Sequence, residues 1–193
     1  IEQYNKLIEE LKKNKGSTSI QFRQELSEEA FAETGYYDSI VTNYFTNITK
    51  NIFPRKKLVH GNLIERLRYG ENPHQEAAIY SFNKSLNIIQ LHGKKLSYNN
   101  YNDLYSALSI SKTLPKNIGT VIIKHANPCG VSIDKNKIES YKKAIGCDPI
   151  SAYGGIVCCN FKINKKLALE LNKIFFEIII GNGIDKKALI ILK

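Results

Sequence analysis

The segment VIIKHANPCGV, residues 121–131, places a lysine and a histidine where they could act together in chemistry. Three β-branched residues predict a buried strand, and Lys124 and His125 follow at its end. The NPCG sequence of residues 127–130 predicts a turn directly after them. A histidine titrates near neutral pH, and a neighbouring ammonium can stabilise a developing negative charge. The pair therefore fits acid–base catalysis with electrostatic support, although two solvated loop residues would give the same pattern.

Three further segments are rich in Asn, Gly, Pro and aromatic residues without following a simple periodicity. They read LRYGENPHQEAA (67–78), KKLSYNNYNDL (94–104) and CDPISAYGGIVCCN (147–160). Chains that turn tightly while presenting amides and hydroxyls are common around binding sites. Each segment alone is equally compatible with ordinary turns, so only their combination points to a site.

The first 60 residues predict two helices and a connector. Apolar residues at helical spacing predict a helix over residues 3–14, and Gly16 ends it. Thr18 and Gln21 match a capping box, so a second helix is expected from near Ser19 to about Phe45, with a bend or break at Gly35. Its inner surface is expected to carry Phe22, Leu26, Phe31, Tyr37, Ile40, Val41 and Tyr44. Residues 46–60 read as a connector, with a domain boundary near residue 50.

From residue 61 onward, short apolar runs alternate with helical patterns. The predicted strands are 78–82, 88–91, 119–124, 155–159 and 176–180, and the predicted helices are 101–113, 137–145, 165–173 and 186–193. Such alternation predicts an α/β fold in which helices flank a layered mixed sheet.

Composition limits the classes of function. The 193 residues carry a net charge of +10, which raises the alternative of a nucleic-acid-binding protein. The lysines, however, are spread along the whole chain rather than clustered in a stripe, and an anionic small ligand accounts for the charge equally well. No run approaches the roughly 20 apolar residues of a membrane span, and the N-terminus lacks the order of a signal peptide. The absence of any Met favours an internal piece of a longer protein.

The four cysteines do not form a disulfide framework, because Cys158 and Cys159 are adjacent and Cys129 lies in a turn-rich segment. A reducing cytoplasm is the simplest compartment. His125 with Cys129 also invites comparison with zinc deaminases, but the glutamate and second cysteine of that signature are missing. We therefore expect no metal site.

Taken in order, LRYGENPHQ, SYNNYND, KHANPCG and DPISAYGG closely resemble the transformylase domain of the bifunctional AICAR formyltransferase/IMP cyclohydrolase family of purine biosynthesis. The stretch AFAETGYYDSIVTNYF (30–45) resembles the last helix of the preceding cyclohydrolase domain. The resemblance implies cyclohydrolase helices over residues 1–48, a linker over 49–60 and the first half of the transformylase over 61–193. It also implies a cytidine-deaminase-like subdomain.

The resemblance assigns roles to individual residues. His125 matches the catalytic base, and Lys124 matches the residue that stabilises the transition state. The positions matching contacts to the ribonucleotide are Arg68, Tyr69, Asn102, Gly154 and Glu177. Glu177 is the least secure of these, since the family has Ala-Pro where this chain has Gly181 and Asn182.

The same resemblance implies the reaction and its partners. The formyl group of 10-formyltetrahydrofolate, a cosubstrate, passes to the amine of AICAR, with no tightly bound cofactor. The family acts as a cytosolic homodimer, and no nucleic acid or membrane takes part. Because a second half-domain and the partner subunit complete each site, the isolated 193 residues are expected to be inactive or nearly so. A non-catalytic remnant or a purine-nucleotide-binding module remains the alternative.

Overall fold

The structure, a computed structural model, describes residues 3–83 and 85–193, and their contacts define two compact units. Of the described residues, one unit comprises 3–64, 80–83 and 85–86, and the other comprises 65–79 and 87–193. The helices are α1 (Gln3–Lys13), α2 (Ile20–Ile48), α3 (Tyr98–Thr113), α4 (Lys137–Cys147), α5 (Pro149–Ala152), α6 (Lys165–Leu171) and α7 (Lys186–Leu192). The strands are β1 (Asn62–Arg66), β2 (Ala78–Ser81), β3 (Gly119–Lys124), β4 (Asn127–Ile133), β5 (Ile156–Cys159) and β6 (Ile178–Gly181).

The first unit contains α1 and the long helix α2. Helix α2 starts where the sequence predicts, but its N-cap is Ser19, whose hydroxyl accepts the Phe22 N–H at 3.2 Å. The predicted capping role of Thr18 is therefore wrong. The helix continues through Gly35 without a break and ends three residues beyond the expected Phe45.

The expected inner surface of α2 is only partly correct. Phe31, Tyr37, Ile40 and Tyr44 are 78%, 66%, 42% and 60% exposed, and the helix has one buried residue, Ser39. These side chains therefore do not form a continuous buried face of α2 within this unit.

The second unit is built around a four-stranded mixed sheet in the order β4-β3-β5-β6. Strand β3 pairs antiparallel with both β4 and β5, whereas β5 pairs parallel with β6. Side chains alternate across the strands, so Val121 and Ile123 pack toward α3 while Ile122 joins the core on the opposite face. That second core includes residues of α4, α6 and α7. The mixed α/β layering confirms the coarse fold class.

Most predicted elements of this unit are confirmed. Strand β3 has the predicted bounds, β5 begins one residue late, and β6 begins two residues late and ends one residue late. The predicted strand at 88–91 is wrong. There the Gln90 amide donates to the carbonyls of His92 and Lys94 at 3.1 and 2.8 Å, which stabilises a local turn instead of a strand pairing.

The predicted turn at residues 127–130 is also wrong, since these residues open β4. The chain reverses two residues earlier, at His125 and Ala126, whose φ angles are +53° and +59°. Pro128 is accommodated because β4 is an edge strand with an irregular register at that point: Ile123 pairs with Pro128 and Ile122 with Gly130, which leaves Cys129 as the extra residue of a β-bulge.

Helix α2 is the only described helix of 18 residues or more, and none in residues 3–83 and 85–193 combines that length with the apolarity of a membrane span.

Candidate active site

The predicted catalytic pair lies at the tip of the β3–β4 hairpin. Lys124 pairs with Asn127 across the strands, so His125 and Ala126 form a two-residue loop. Both have positive φ, as in a type I′ turn, which suits the twist of a hairpin but favours glycine or asparagine. A non-glycine residue held in this region costs roughly 1–3 kcal/mol. Such local strain is typical of functional sites, and it presents the exposed His125 at the end of the sheet.

The sheet topology brings other predicted residues to this same edge. Because β5 runs antiparallel to β3, Ile156 at its start pairs with Ile123, and Ile178 at the start of β6 lies next in the row. The residues immediately before β5 and β6 include Gly154 and Glu177. The C-terminal end of β3 and the N-terminal ends of β5 and β6 therefore lie at the same edge of the sheet as His125.

Backbone contacts fix this edge. The Lys124 ammonium donates to the Tyr153 carbonyl at 2.9 Å. Gly154, at φ +73°, donates its N–H to the Phe175 carbonyl at 2.9 Å. A side chain at Gly155 would place its Cβ 2.7 Å from the Ile123 carbonyl oxygen, so the chain packs this closely only with glycine there.

The N-terminus of α3 lies at the same edge. A capping box between Ser97 and Asn100 starts the helix. The Asn100 amide also donates to the Glu177 carboxylate at 2.8 Å, and Asp103, one turn further on, accepts the Ala126 N–H at 2.7 Å. The positive end of the helix dipole thus lies beside the hairpin tip, a setting that favours anionic groups.

Arg68 and Tyr69 lie in the loop after β1. The exposed Arg68 guanidinium lies over the Tyr69 ring, 5.5 Å from its centroid. The loop is closed by the Gly70 N–H donating to the Gln75 carbonyl at 2.6 Å. It is joined to the first turn of α3 by the Asn99 amide, which donates to the Glu71 carbonyl at 3.4 Å. All seven predicted site residues therefore belong to the second unit. Hydrogen bonds of α3, which carries Asn102, link it to the loop after β1, to the hairpin tip and to Glu177.

Asn102 is the predicted residue with the weakest structural support. It is exposed, and its contact in the structure is a helical one, in which its carbonyl accepts the Ser106 hydroxyl at 2.9 Å. Asn100 instead contacts Glu177, a predicted substrate-binding residue. Sequence reasoning passed over Asn100 and Asp103, although both lie within the SYNNYND segment that it selected. The helix was predicted to start at residue 101, whereas α3 starts at Tyr98, and the signal that could have found Asn100 is its capping box with Ser97.

Two titrating groups near the site are held in their neutral forms. Burial raises the pKa of the Cys129 thiol, so this residue of the β-bulge is a poor nucleophile near neutral pH. Burial, reinforced by the hydrogen bond from its hydroxyl to Glu65, raises the pKa of Tyr101 to about 12. Within residues 3–83 and 85–193, no three His, Cys, Asp or Glu side chains cluster in a way that could hold a metal ion.

A cavity of about 510 Å³ occurs at the other end of the sheet. Its lining includes Cys159, Asn160, Gly181 and Asn182, at the carboxyl ends of β5 and β6. The predicted catalytic pair lies at the opposite ends of these strands. The cavity is therefore distinct from the candidate site.

Residues 1–193 match the family model described as the AICARFT/IMPCHase bienzyme. The chain is also similar to several curated proteins named bifunctional purine biosynthesis protein PurH. The one from Ruegeria sp. (strain TM1040) is 42% identical over 194 residues, covering 97% of this chain and 37% of the relative. That of Listeria monocytogenes serotype 4a is 41% identical, with 98% and 38% covered, and that of Rhizobium rhizogenes is 40% identical, with 96% and 36% covered. The chain thus spans little more than a third of these relatives.

Proposed function

The chain belongs to the AICARFT/IMPCHase bienzyme family, and on this premise we propose that it forms part of an AICAR formyltransferase. The reaction transfers a formyl group from 10-formyltetrahydrofolate to the 5-amino group of AICAR, in a protein that also cyclises the product to IMP. We assign residues 1–48 to the end of the cyclohydrolase domain, 49–60 to a linker, and 61–193 to the first, cytidine-deaminase-like half of the transformylase.

The proposed chemistry begins with a poor nucleophile, because the amine lone pair is delocalised toward the carboxamide. The amine nitrogen attacks the formyl carbon, and the bond between that carbon and N10 of the folate breaks. His125 accepts the proton that the amine loses and then donates it to the departing N10, which leaves as a neutral amine of tetrahydrofolate. Positioning and proton transfer of this kind contribute most when the reacting groups are held close together.

In this proposal Lys124 is the electrostatic stabiliser of the reaction. Its ammonium carries three donors, and one of them is engaged by the Tyr153 carbonyl at 2.9 Å. The remaining donors can face the oxyanion that forms at the formyl carbon. The hydrogen bond to Tyr153 fixes the direction of the long side chain, so little reorganisation is needed during the reaction.

The other residues bind the nucleotide in this proposal. Arg68 offers a fork of donors suited to a phosphate or to ribose hydroxyls, with Tyr69 beneath it. Gly154 lets the backbone approach the ligand closely, and Glu177 accepts hydrogen bonds at the carboxamide end. Asn102 is assigned from the resemblance, whereas Asn100 is the asparagine that contacts Glu177. We propose Asn100 as an additional ligand of the nucleotide.

The cofactor and partner assignments follow from the same family. Folate acts as a cosubstrate, and the reaction needs no tightly bound cofactor. We propose a cytoplasmic homodimer that works without nucleic acid or membrane. Because the relatives are almost three times as long, residues 1–193 expressed alone are expected to be inactive or nearly so.

The observation that carries this proposal is the meeting of Lys124, His125, Gly154, Glu177 and the start of α3 at one sheet edge. The test uses the natural product of the gene that encodes these residues. His125→Ala should lower the rate of formyl transfer by about 10²–10⁴-fold, as expected for loss of a general base, while calorimetry finds AICAR affinity largely retained.

The control is His92→Ala, which changes a histidine in the turn organised by Gln90. It should leave both rate and affinity unchanged. If His125→Ala abolished AICAR binding, the residue would be a structural ligand rather than a base. Saturable AICAR binding without transfer by the unaltered protein would instead support a nucleotide-binding module, and binding of nucleic acid that weakens steeply with salt would support the nucleic-acid reading.

A further inference from the structure

The peptide group between His125 and Ala126 is held at both of its polar ends. Its carbonyl oxygen, from His125, accepts the Asn127 side-chain amide at 2.8 Å. Its N–H, from Ala126, donates to the Asp103 carboxylate at 2.7 Å. This is the central peptide of the two-residue loop, so the two bonds fix the orientation that distinguishes one turn type from another.

The two contacts are of different origin. Asn127 lies in the hairpin itself and moves with it, whereas Asp103 comes from α3, 23 residues earlier in the chain. Asp103 is half-buried, and Leu104 beside it is only 2% exposed within the core that packs α3 on the sheet. The carboxylate is therefore a fixed point relative to β3 and can restrain the loop.

The restraint opposes a local preference of the chain. Neither His125 nor Ala126 is glycine or asparagine, yet both have positive φ. Without the bond to Ala126, the loop would favour a turn in which fewer residues have positive φ. Turns of types I and II, unlike type I′, splay the two flanking strands apart. Either change would move the His125 ring relative to Lys124, whose side chain is tied separately to Tyr153.

We propose that Asp103 is a positioning residue for formyl transfer, which holds His125 in place by accepting the Ala126 N–H. The catalytic effect of Asp103 rests on the proposed function. The restraint of the loop is argued from the geometry alone. Asp103 does not contact the substrate in this scheme. Its removal therefore affects turnover more than binding, because errors of about 1 Å in placement lower rates strongly while leaving most ligand contacts intact.

The test compares Asp103→Ala with the double variant Asp103→Ala/Ala126→Gly in the natural gene product. Asp103→Ala should lower kcat at least tenfold, with KM for AICAR changed less than threefold, and should speed hydrogen exchange of the Ala126 amide at least tenfold. Glycine adopts positive φ without steric cost, so Ala126→Gly should restore a large part of kcat without restoring the lost hydrogen bond. A role in stability alone would not produce this rescue.

Asp134→Ala is the matched control, because Asp134 also accepts a backbone N–H at 2.7 Å, from Asn136, but ahead of α4. It should leave kcat unchanged. If Asp103→Ala does not fold, Asp103→Asn replaces it, with a smaller loss in kcat and the same rescue by Ala126→Gly. Unchanged kcat and unchanged Ala126 exchange would overturn the inference, as would a double variant no faster than the single one.

The outcomes separate this inference from the proposed function. Full activity in His125→Ala would refute the assignment of the base and with it the catalytic role of Asp103. Exchange at Ala126 would still report whether Asp103 restrains the loop, since that measurement does not depend on turnover.

Discussion

Gly130 and Gly146 offer a pair of glycine-to-alanine substitutions with opposite expected effects. Gly130 lies in β4 against α4, and a Cβ built on it would be 1.9 Å from the Ala144 carbonyl oxygen and 2.8 Å from its carbon. Real Cβ atoms essentially never come within 3.0 Å of such atoms. Because the obstacle is helix backbone, β4 and α4 must separate by about 1 Å, a larger disturbance than a shifted side chain.

The expected cost of Gly130→Ala is about 3 kcal/mol in the free energy of unfolding, at the upper end for overpacking, because the separation also disturbs the core below. Tyr141 and Ala144 of α4 belong to that core and are 3% and 1% exposed. Gly146, in the same helix, has no atom within 4 Å of a built Cβ. Gly146→Ala should therefore stabilise the protein by about 0.5 kcal/mol, through the better helix propensity of alanine.

Urea unfolding followed by far-ultraviolet circular dichroism measures both effects. With a slope of about 1–3 kcal/mol per molar urea, the midpoint of Gly130→Ala should fall by about 1–3 M, and that of Gly146→Ala should rise slightly. Equal midpoints for Gly130→Ala and the unaltered protein would refute the close packing of β4 on α4. A loss of stability in Gly146→Ala as large as that in Gly130→Ala would show that any added methyl group in this region is harmful.

Two further predictions concern titrating groups. Since the folded-state pKa of Tyr101, about 12, exceeds the ordinary value near 10, its stabilising effect should be complete below pH 10 and disappear as pH rises from 10 to 12. Tyr101→Phe, which removes the bond to Glu65, should lower stability by about 1 kcal/mol at neutral pH and abolish that part of the pH dependence in thermal unfolding. Among the thiols, exposed Cys147 should react rapidly with an alkylating reagent, whereas buried Cys158 and Cys159 should react only in denaturant, because burial raises both pKa values, that of Cys159 to about 12. Mass spectrometry of the labelled peptides checks this order, and rapid labelling of Cys159 in the folded protein would contradict the packing of β5.

Local signals accounted for much of the second unit. The bounds of β3 and the starts of α4, α6 and α7 could be predicted because apolar periodicity and polar helix caps lie within a few residues of each boundary. Strand β1 was not predicted, since its five residues, NLIER, alternate too briefly to stand out. The alternation of helix and strand was sufficient for the coarse fold class.

The hairpin tip could not be placed from sequence for a physical reason. Pro128 and Gly130 are strong turn formers, but they serve a β-bulge in an edge strand. The true loop residues, His125 and Ala126, carry no local preference for positive φ, and the contact that holds them comes from Asp103 in another element. A long-range contact also distinguishes Asn100 from Asn102, because the Asn100 amide donates to the Glu177 carboxylate.

The loop between Lys124 and Asn127 has only two residues, so its length cannot change without a change in the pairing register of the hairpin. Adding or deleting one residue would shift β4 by one position and interchange its two faces. The position opposite the Ala144 carbonyl would then receive a residue bearing a side chain in place of Gly130. Insertions and deletions among natural variants should therefore be absent from residues 124–130 and should accumulate in irregular stretches such as residues 85–97.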